Sequence, residues 1–356
     1  MRTDCKITNG SSRRLAAVLL TAAALTACSP TVEHQAATAT LIERSTVAMG
    51  SSLTVTAVSR DEESAGRAIQ VVFDEFGTLE ARLSVWKPDS DVERINAAAG
   101  KAPVVVSLDT IEVLQLAIEA GDRTGGKFDV TFGALSGLWK FDHDQDNSLP
   151  DPAAIRRLLS LIDYQQLVVD RAAHTAFLRR AGMRLHLGGI GKGFAIDRAA
   201  EILRAHGLRD FMIQAGGDLY VAGRRGDRPW RVAIRDPRGP ADRLIAALDL
   251  TDGTFSTSGD YERFFMHNGV RYHHILDPDT GQPARGLRSV TVVAERAVDA
   301  DTLSTGIFVM GAEKGMALVE RLPDIDAVLV TDRNEVLVSS RLRDRLIRLA
   351  EPTDAP

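Results

Sequence analysis

The second half of the chain offers one short apolar segment after another. "DFMIQ", "LYVAG", "WRVAIRD", "RLIAALDL", "TFSTSG", "RFFMH", "SVTVVA", "AVLVTD" and "EVLVSS" all read as strands, the last two separated by a turn at "RNE". Their order is not the regular strand–helix alternation of a parallel sheet, and no internal repeat is visible. The first half adds "SLTVTAVS" as a strand and then "DEESAGRAIQVVFDEFGTLEARL", whose Ala68, Val72, Phe76 and Leu79 form one apolar face of a long helix. "SLDTIEVLQLAIEAGDRTGG" is a second helix, capped by Ser107 and stopped by glycine, and "GKGFAIDRAAEILRAHG" a third, ended by Gly207. These elements specify an α+β fold with mostly antiparallel sheet and packed helices. Residues after about Arg341 read as a polar, charged end of low information.

At 356 residues, with 44% hydrophobic and 26% charged, the chain has ample core for such a domain. Its N-terminus is of another kind. Arg2, Lys6, Arg13 and Arg14 precede the apolar run "LAAVLLTAAALTAC", which is too short to span a bilayer. "LTAC", ending at Cys28, resembles a bacterial lipobox, which makes Cys28 the expected lipidation point, residues 1–27 a signal peptide and 28–40 a tether to the folded part at 41–350. A plain secretory cleavage site accounts for the same run. "SSRRLAAVLL" carries the arginine pair of a twin-arginine signal, which a basic leader also explains. Cys5 leaves with the signal, so the mature chain has no disulfide and relies on its core. Residues 1–27 hold four basic side chains and one acidic, and their removal moves the formal net charge from −5 to −8. That balance argues against a nucleic-acid surface.

Several stretches are too rich in Gly, Asp and His to be ordinary connections. "RLHLGGIGKGFAID" runs from a short apolar strand through Gly188, Gly189, Gly191 and Gly193 into a helix, with Lys192 among the glycines. Backbone N–H groups and a cation at a helix N-terminus suit a phosphate, although a tight strand-to-helix turn uses glycines in the same way. "GGKFDVTFGAL" places Asp129 in an apolar, strand-like setting; Asp218 of "QAGGDLYVAG" reads as a turn cap, and Asp277 of "DPDTG" as a structural turn. "STSGDYERFF" and "YHHILDPDTGQPA" add Ser258, Asp260, Tyr261, His273 and His274. In "AVDADTLSTGIFVMG", Asp299, Asp301 and Thr305 stand at the mouth of an otherwise apolar helix. Capping explains an Asp there; the four-residue spacing of Asp301 and Thr305 also puts both on one face, where they could share a hard cation such as Mg²⁺. No CxxC, HExxH or nucleophile elbow is present, and the inventory suits the handling of a diphosphate.

"MGSSLTV", "LSVWKPDSDVERIN", "GGKFDVTFGAL", "LGGIGKGFAID", "QAGGDLYVAG", "SGDYERFF", "HILDPDTGQP" and "ADTLSTGIFVMG", in that order from Met49 to Gly311, together resemble the ApbE family. The resemblance implies a T-fold-related domain and an FAD:protein FMN transferase, in which Mg²⁺-dependent cleavage of FAD passes FMN to a Thr or Ser hydroxyl of a partner protein and releases AMP. It implies metal ligation by Asp301, Thr305 and the Gly189 carbonyl. It implies FAD contacts at Met49, Trp86, Lys127, Phe128, Asp129, Lys192, His274 and Ile275, with Asp129 and His274 as catalytic residues. His186 stands where the family pattern has Asp before "LGGIxKG". The implied partner is a redox protein with a Thr or Ser in a flavinylation motif, facing the same side of a bacterial envelope membrane as this lipid-anchored chain. An FAD pyrophosphatase that uses water as acceptor, and a non-catalytic flavin-binding lipoprotein, are the rival expectations.

Overall fold

A computed structural model of the chain describes residues 39–141 and 144–355. Eight strands form one sheet, in the spatial order Thr40–Ala48, Ser51–Ser59, Phe211–Ala215, Asp218–Ala222, Asp252–Gly259, Leu287–Ala294, Asp326–Thr331 and Val336–Val338. Every neighbouring pair is antiparallel. Both faces are covered, so the central strand Asp218–Ala222 is buried at all five positions. Its period-2 alternation sends Tyr220 and Ala222 into the core beneath the helices, and Leu219 and Val221 into a second core shared with Trp230, Val232 and Ile234.

The helical layer rests on the first of these faces. In the Glu62–Leu83 helix, Asp61 Oδ1 accepts the Ser64 N–H at 2.9 Å as N-cap, and Ala68, Val72, Phe76 and Leu79 are all buried. The Leu108–Thr124 helix is capped by Ser107 and ends at Gly125, whose φ of +60° is left-handed. The Gly191–Ala205 helix packs between the Glu62–Leu83 helix and the Ala297–Met310 helix; the latter also packs on the Leu108–Thr124 helix and covers Val290 and Val292 of the sheet. The opposite face carries a three-stranded sheet of Trp230–Arg235, Leu244–Leu250 and Ile347–Arg348.

Three expectations change. Residues around Asp129 are a turn followed by the 3₁₀ turn Gly133–Leu135 instead of a strand, because Asp129 Oδ1 accepts both the N–H and the hydroxyl of Thr131. "RLHLGG" forms only one isolated bridge, Arg184 to Phe132. The C-terminal end is part of the fold: Leu342 is fully buried, and Thr353 donates its N–H and hydroxyl to Asp236 Oδ2 at 3.0 and 2.6 Å. Cys28, the leader and residues 28–38 of the tether lie outside the described residues. Among the described residues no helix is long and apolar enough to cross a membrane.

Candidate active site

One end of the large sheet builds the site. The Met49–Gly50 turn joins the first two strands with φ of +49° and +71°, both left-handed, a combination suited to the strand twist but costly for Met. Beside it the Gly216 N–H donates to the Ser52 carbonyl at 3.1 Å, and the chain re-enters the sheet at Asp218. Asp218 pairs opposite Ser256, so alternation places Asp218, Ser256 and Ser258 on the helix-covered face.

The N-termini of two helices meet above those residues, and neither is capped by its own preceding side chain. They cap each other. Asp197, in the second turn of the Gly191–Ala205 helix, accepts the Ala297 and Val298 N–H groups at 2.7 and 3.0 Å. Asp301, in the Ala297–Met310 helix, accepts the Gly193 N–H at 2.9 Å through Oδ2. The approach is close enough that a Cβ on Gly193 would lie 2.6 Å from the Ala297 carbonyl and 2.8 Å from Asp301 Cβ. Asp301 is therefore a cap, but of the other helix and through one oxygen. Asp299 instead pairs with Arg123.

The charges here are concentrated and buried. Asp218 is 2% and Asp301 4% exposed. Lys192 forms an ion pair with Asp218, whose other oxygen accepts from Ser256. Burial alone would lower the Lys192 ammonium, but the Asp218 and Asp301 carboxylates outweigh it and hold it above its ordinary value. Burial, reinforced by the Asp218 charge, pushes the Asp301 carboxyl up against the pull of Lys192 and the Gly193 N–H. Thr305 lies one turn beyond Asp301, its Oγ1 3.1 Å from Ser258 Oγ. The glycine-rich loop passes it: a Cβ on Gly189 would sit 3.4 Å from Thr305 Oγ1 and 3.2 Å from the Phe128 ring. Asp301, Thr305, Gly189, Lys192 and Phe128 are thus brought together from three segments.

His274 belongs to the same neighbourhood. Its Nδ1 is 3.3 Å from the Arg263 carbonyl, which can only accept, so Nδ1 carries the proton and Nε2 keeps its lone pair. Burial, then the Arg263 cation and His273, with Lys192 adding to them, push its pKa down to about 3, which leaves the ring neutral. Adjacent His273 faces the other way, donating from Nε2 to the Ala284 carbonyl at 2.8 Å, and Ile275 is core. Lys127 bridges Asp277 and Asp279 at 2.9 and 2.8 Å, clamping its loop to the "DPDTG" turn. Asp129 accepts from the Thr131 N–H and hydroxyl through Oδ1, at 2.7 and 2.6 Å, and from the Tyr164 N–H through Oδ2 at 2.9 Å. Both oxygens thereby hold the loop that carries Lys127 and Phe128. Trp86 is 55% exposed in the turn after the first helix, with its backbone N–H donating to Ser84 Oγ at 3.1 Å. His186 Nδ1 accepts the Gly188 N–H at 3.1 Å and so shapes the glycine loop.

The sequence reading assigned Asp218 to a turn and gave Ser256, Ser304, Asp197 and Arg263 no part. Ser256 was findable, because "TFSTSG" in period 2 puts Ser256 and Ser258 on one face; the crossed caps depend on a contact 108 residues apart. Among the described residues no three His, Cys, Asp or Glu side chains gather as a metal cage. The Asp301 carboxylate and the Thr305 hydroxyl, one turn apart where the Gly189 backbone passes, are sparse hard-oxygen donors beside the Lys192 cation, which fits an ion sharing its shell with water or a phosphate.

The ApbE family model matches residues 49–329. Curated relatives bear the name FAD:protein FMN transferase: one from Treponema pallidum is 38% identical over 294 residues, covering 78% of this chain and 81% of its own. Another, from Klebsiella pneumoniae, is 36% identical and covers 85% and 92%. Among solved structures, the ApbE protein of Thermotoga maritima superposes with a TM-score of 0.79 at 32% identity, over 86% of this chain and 99% of that one. The flavin transferase ApbE of Vibrio cholerae gives 0.78 at 27% identity with the same coverage. Fold, motif order and the length of the match agree: this chain belongs to the ApbE family.

Proposed function

We propose that the protein transfers FMN from FAD to a Thr or Ser hydroxyl of a partner redox protein, in a Mg²⁺-dependent reaction that releases AMP. The observation that carries the reading is the meeting, at one end of the sheet, of a hard-oxygen pair (Asp301 and Thr305), a buried lysine and a neutral histidine, beside a glycine loop that opens a helix. The names of its relatives support the substrate and the transfer.

Asp301, Thr305 and the Gly189 carbonyl would hold the magnesium. When bound, the ion supplies charge neutralisation at the diphosphate. Lys192, kept charged by Asp218, and the N–H groups at the start of its helix place further positive potential at the same phosphates. His274 Nε2 takes the proton of the acceptor hydroxyl as that oxygen attacks phosphorus. Phe128 and Met49 supply apolar surface for the flavin, Ile275 backs the histidine from the core, and Trp86 offers an exposed indole. Lys127 and Asp129 hold the loop that presents Phe128.

The test is incubation of the purified protein with FAD, Mg²⁺ and an acceptor protein that carries a flavinylation motif. The expected result is an acceptor mass increased by one esterified FMN, with equimolar AMP. Free FMN and AMP with an unmodified acceptor would make the chain a pyrophosphatase, and no turnover would leave a flavin-binding protein. We infer further that Cys28 is lipidated and holds the domain on the extracytoplasmic side of a bacterial envelope membrane, where its acceptor would also face; "LTAC" after a basic leader and short apolar run supports that placement.

A further inference from the structure

Four hydroxyls lie between the sheet and the Ala297–Met310 helix, those of Ser256, Ser258, Ser304 and Thr305, and each has one proton to give. Two of them have fixed directions. Ser256 Oγ meets the Asp218 carboxylate, which only accepts, so Ser256 donates. Ser304 Oγ stands 2.9 Å from the Asp301 carbonyl, another pure acceptor, and its proton goes there. Ser304 must then accept across its 2.8 Å contact with Ser258. Ser258, its proton given to Ser304, accepts across its 3.1 Å contact with Thr305. The Thr305 proton is thereby drawn out of its helix toward the sheet. Neighbouring threonines behave differently: Thr302 donates back to the Val298 carbonyl and Thr124 to the Ala120 carbonyl, each at 2.8 Å, the usual local bond of a helical hydroxyl.

With its proton on Ser258, Thr305 Oγ1 keeps its lone pairs for the side where the Gly189 backbone passes. We infer that Ser258 is a positioning residue that holds the Thr305 hydroxyl with its lone pairs turned to the cation site, so that a strand residue sets metal affinity without touching the metal. The inference rests on Thr305 being a ligand, as proposed above. Partners that orient a ligand in this way commonly control metal affinity by about 10–100-fold.

The test measures FAD binding to the full-length chain by flavin fluorescence quenching, in EDTA and across a series of Mg²⁺ concentrations. In Ser258→Ala the Mg²⁺ midpoint is expected to rise about tenfold, with FAD affinity in EDTA and the melting temperature unchanged. Ser258→Thr, which keeps a hydroxyl, should return the midpoint to that of the parent. Ser304→Ala removes the acceptor of the Ser258 proton and should raise the midpoint by the alternative route, which decides the matter if Ser258→Ala fails to fold. A parent-like midpoint in Ser258→Ala overturns the role of Ser258 while leaving Thr305 a ligand. A parent whose FAD binding ignores Mg²⁺ overturns both.

Discussion

Replacing Asp301 by Asn separates its two roles, because Asn retains an acceptor oxygen but not the charge. As a cap, Asp301 contributes one hydrogen bond to the Gly193 N–H at 2.9 Å. Asn and Asp are equivalent N-caps, so the capping cost of Asp301→Asn should stay below about 1 kcal/mol. Lys192 keeps its Asp218 partner in the variant, so no buried cation is orphaned. For a domain of this size that amounts to a melting shift of about 2 °C or less. Asp301→Ala is the control: it leaves the Gly193 N–H buried without an acceptor, at a cost of about 1–3 kcal/mol. Transfer should respond differently. The Asn variant loses the only carboxylate in the proposed ligand set, and FMN transfer should fall by about 10²–10³, the usual scale for removing one electrostatic stabiliser from a reaction centre. Raising Mg²⁺ should recover part of the loss, and Thr305→Val should show the same defect more mildly. The assay is the initial rate of acceptor flavinylation against Mg²⁺ concentration, with melting curves on the same samples. A wild-type Mg²⁺ profile in folded Asp301→Asn would refute the reasoning and leave Asp301 a cap alone.

Four other outcomes are expected. Because the His274 pKa is pushed down to about 3, its ring stays the base form as the pH falls, so the rate should show no acid limb near 6.5; His274→Ala should slow transfer by about 10²–10⁴ while FAD still binds, and a parent-like rate would exclude it as base. Buried His273 is depressed to about 4, so the unfolded chain takes up its proton first and this contribution to stability is lost as the pH falls from 6.5 toward 4; the stability gap between the parent and His273→Gln, measured by urea titration, should shift by about 3 kcal/mol in favour of the variant across that window. Gly193→Ala puts a methyl against the Ala297 carbonyl and should cost about 1–3 kcal/mol by forcing the helices apart, read as a lower melting temperature together with lost transfer. Cys28→Ser should move the protein from the membrane fraction to the soluble fraction with an unchanged melting temperature, and persistent membrane association would reject lipidation.

What the sequence made legible is what depends on neighbours along the chain. The Glu62–Leu83 and Leu108–Thr124 helices were readable because their caps and apolar faces repeat within a few residues, as in Asp61 with Ser64 and Ser107 with Thr110. The mostly antiparallel sheet followed from strand segments that do not alternate regularly with helices. Asp301, Thr305 and Lys192 were singled out by helical spacing and a glycine-rich loop as well as by family motifs. The role of Asp218 was not, since "GGD" is a common turn pattern and its partner Lys192 stands 26 residues away. Likewise "RLIRLAEPTD" gives no local hint that Thr353 will close onto Asp236, a contact made across 117 residues. Asp129 shows the converse. Its apolar surroundings suggested a strand and its motif suggested chemistry, yet Thr131, two residues on, turns the backbone and takes one carboxylate oxygen.

The crossed caps explain why hard oxygens stand at the mouth of an apolar helix. A helix start needs acceptors for its N–H groups, and here each of two buried helices draws them from the other. Only a residue beyond the first turn can reach across, so Asp197 and Asp301 lie inside their helices, and Gly193 has no side chain to hold the two apart. The same crossing fixes Asp301 against Lys192 and, one turn later, Thr305 against Ser258. Motion of either helix would therefore shift a cap, a charge and a proposed ligand together. For that reason Asp197→Ala, which touches no substrate in this arrangement, should reduce transfer more than a surface cap would when removed: it frees the start of the helix that carries both Asp301 and Thr305. A parent-like Mg²⁺ midpoint in Asp197→Ala, despite a lower melting temperature, would show instead that the caps stabilise the fold without tuning the site.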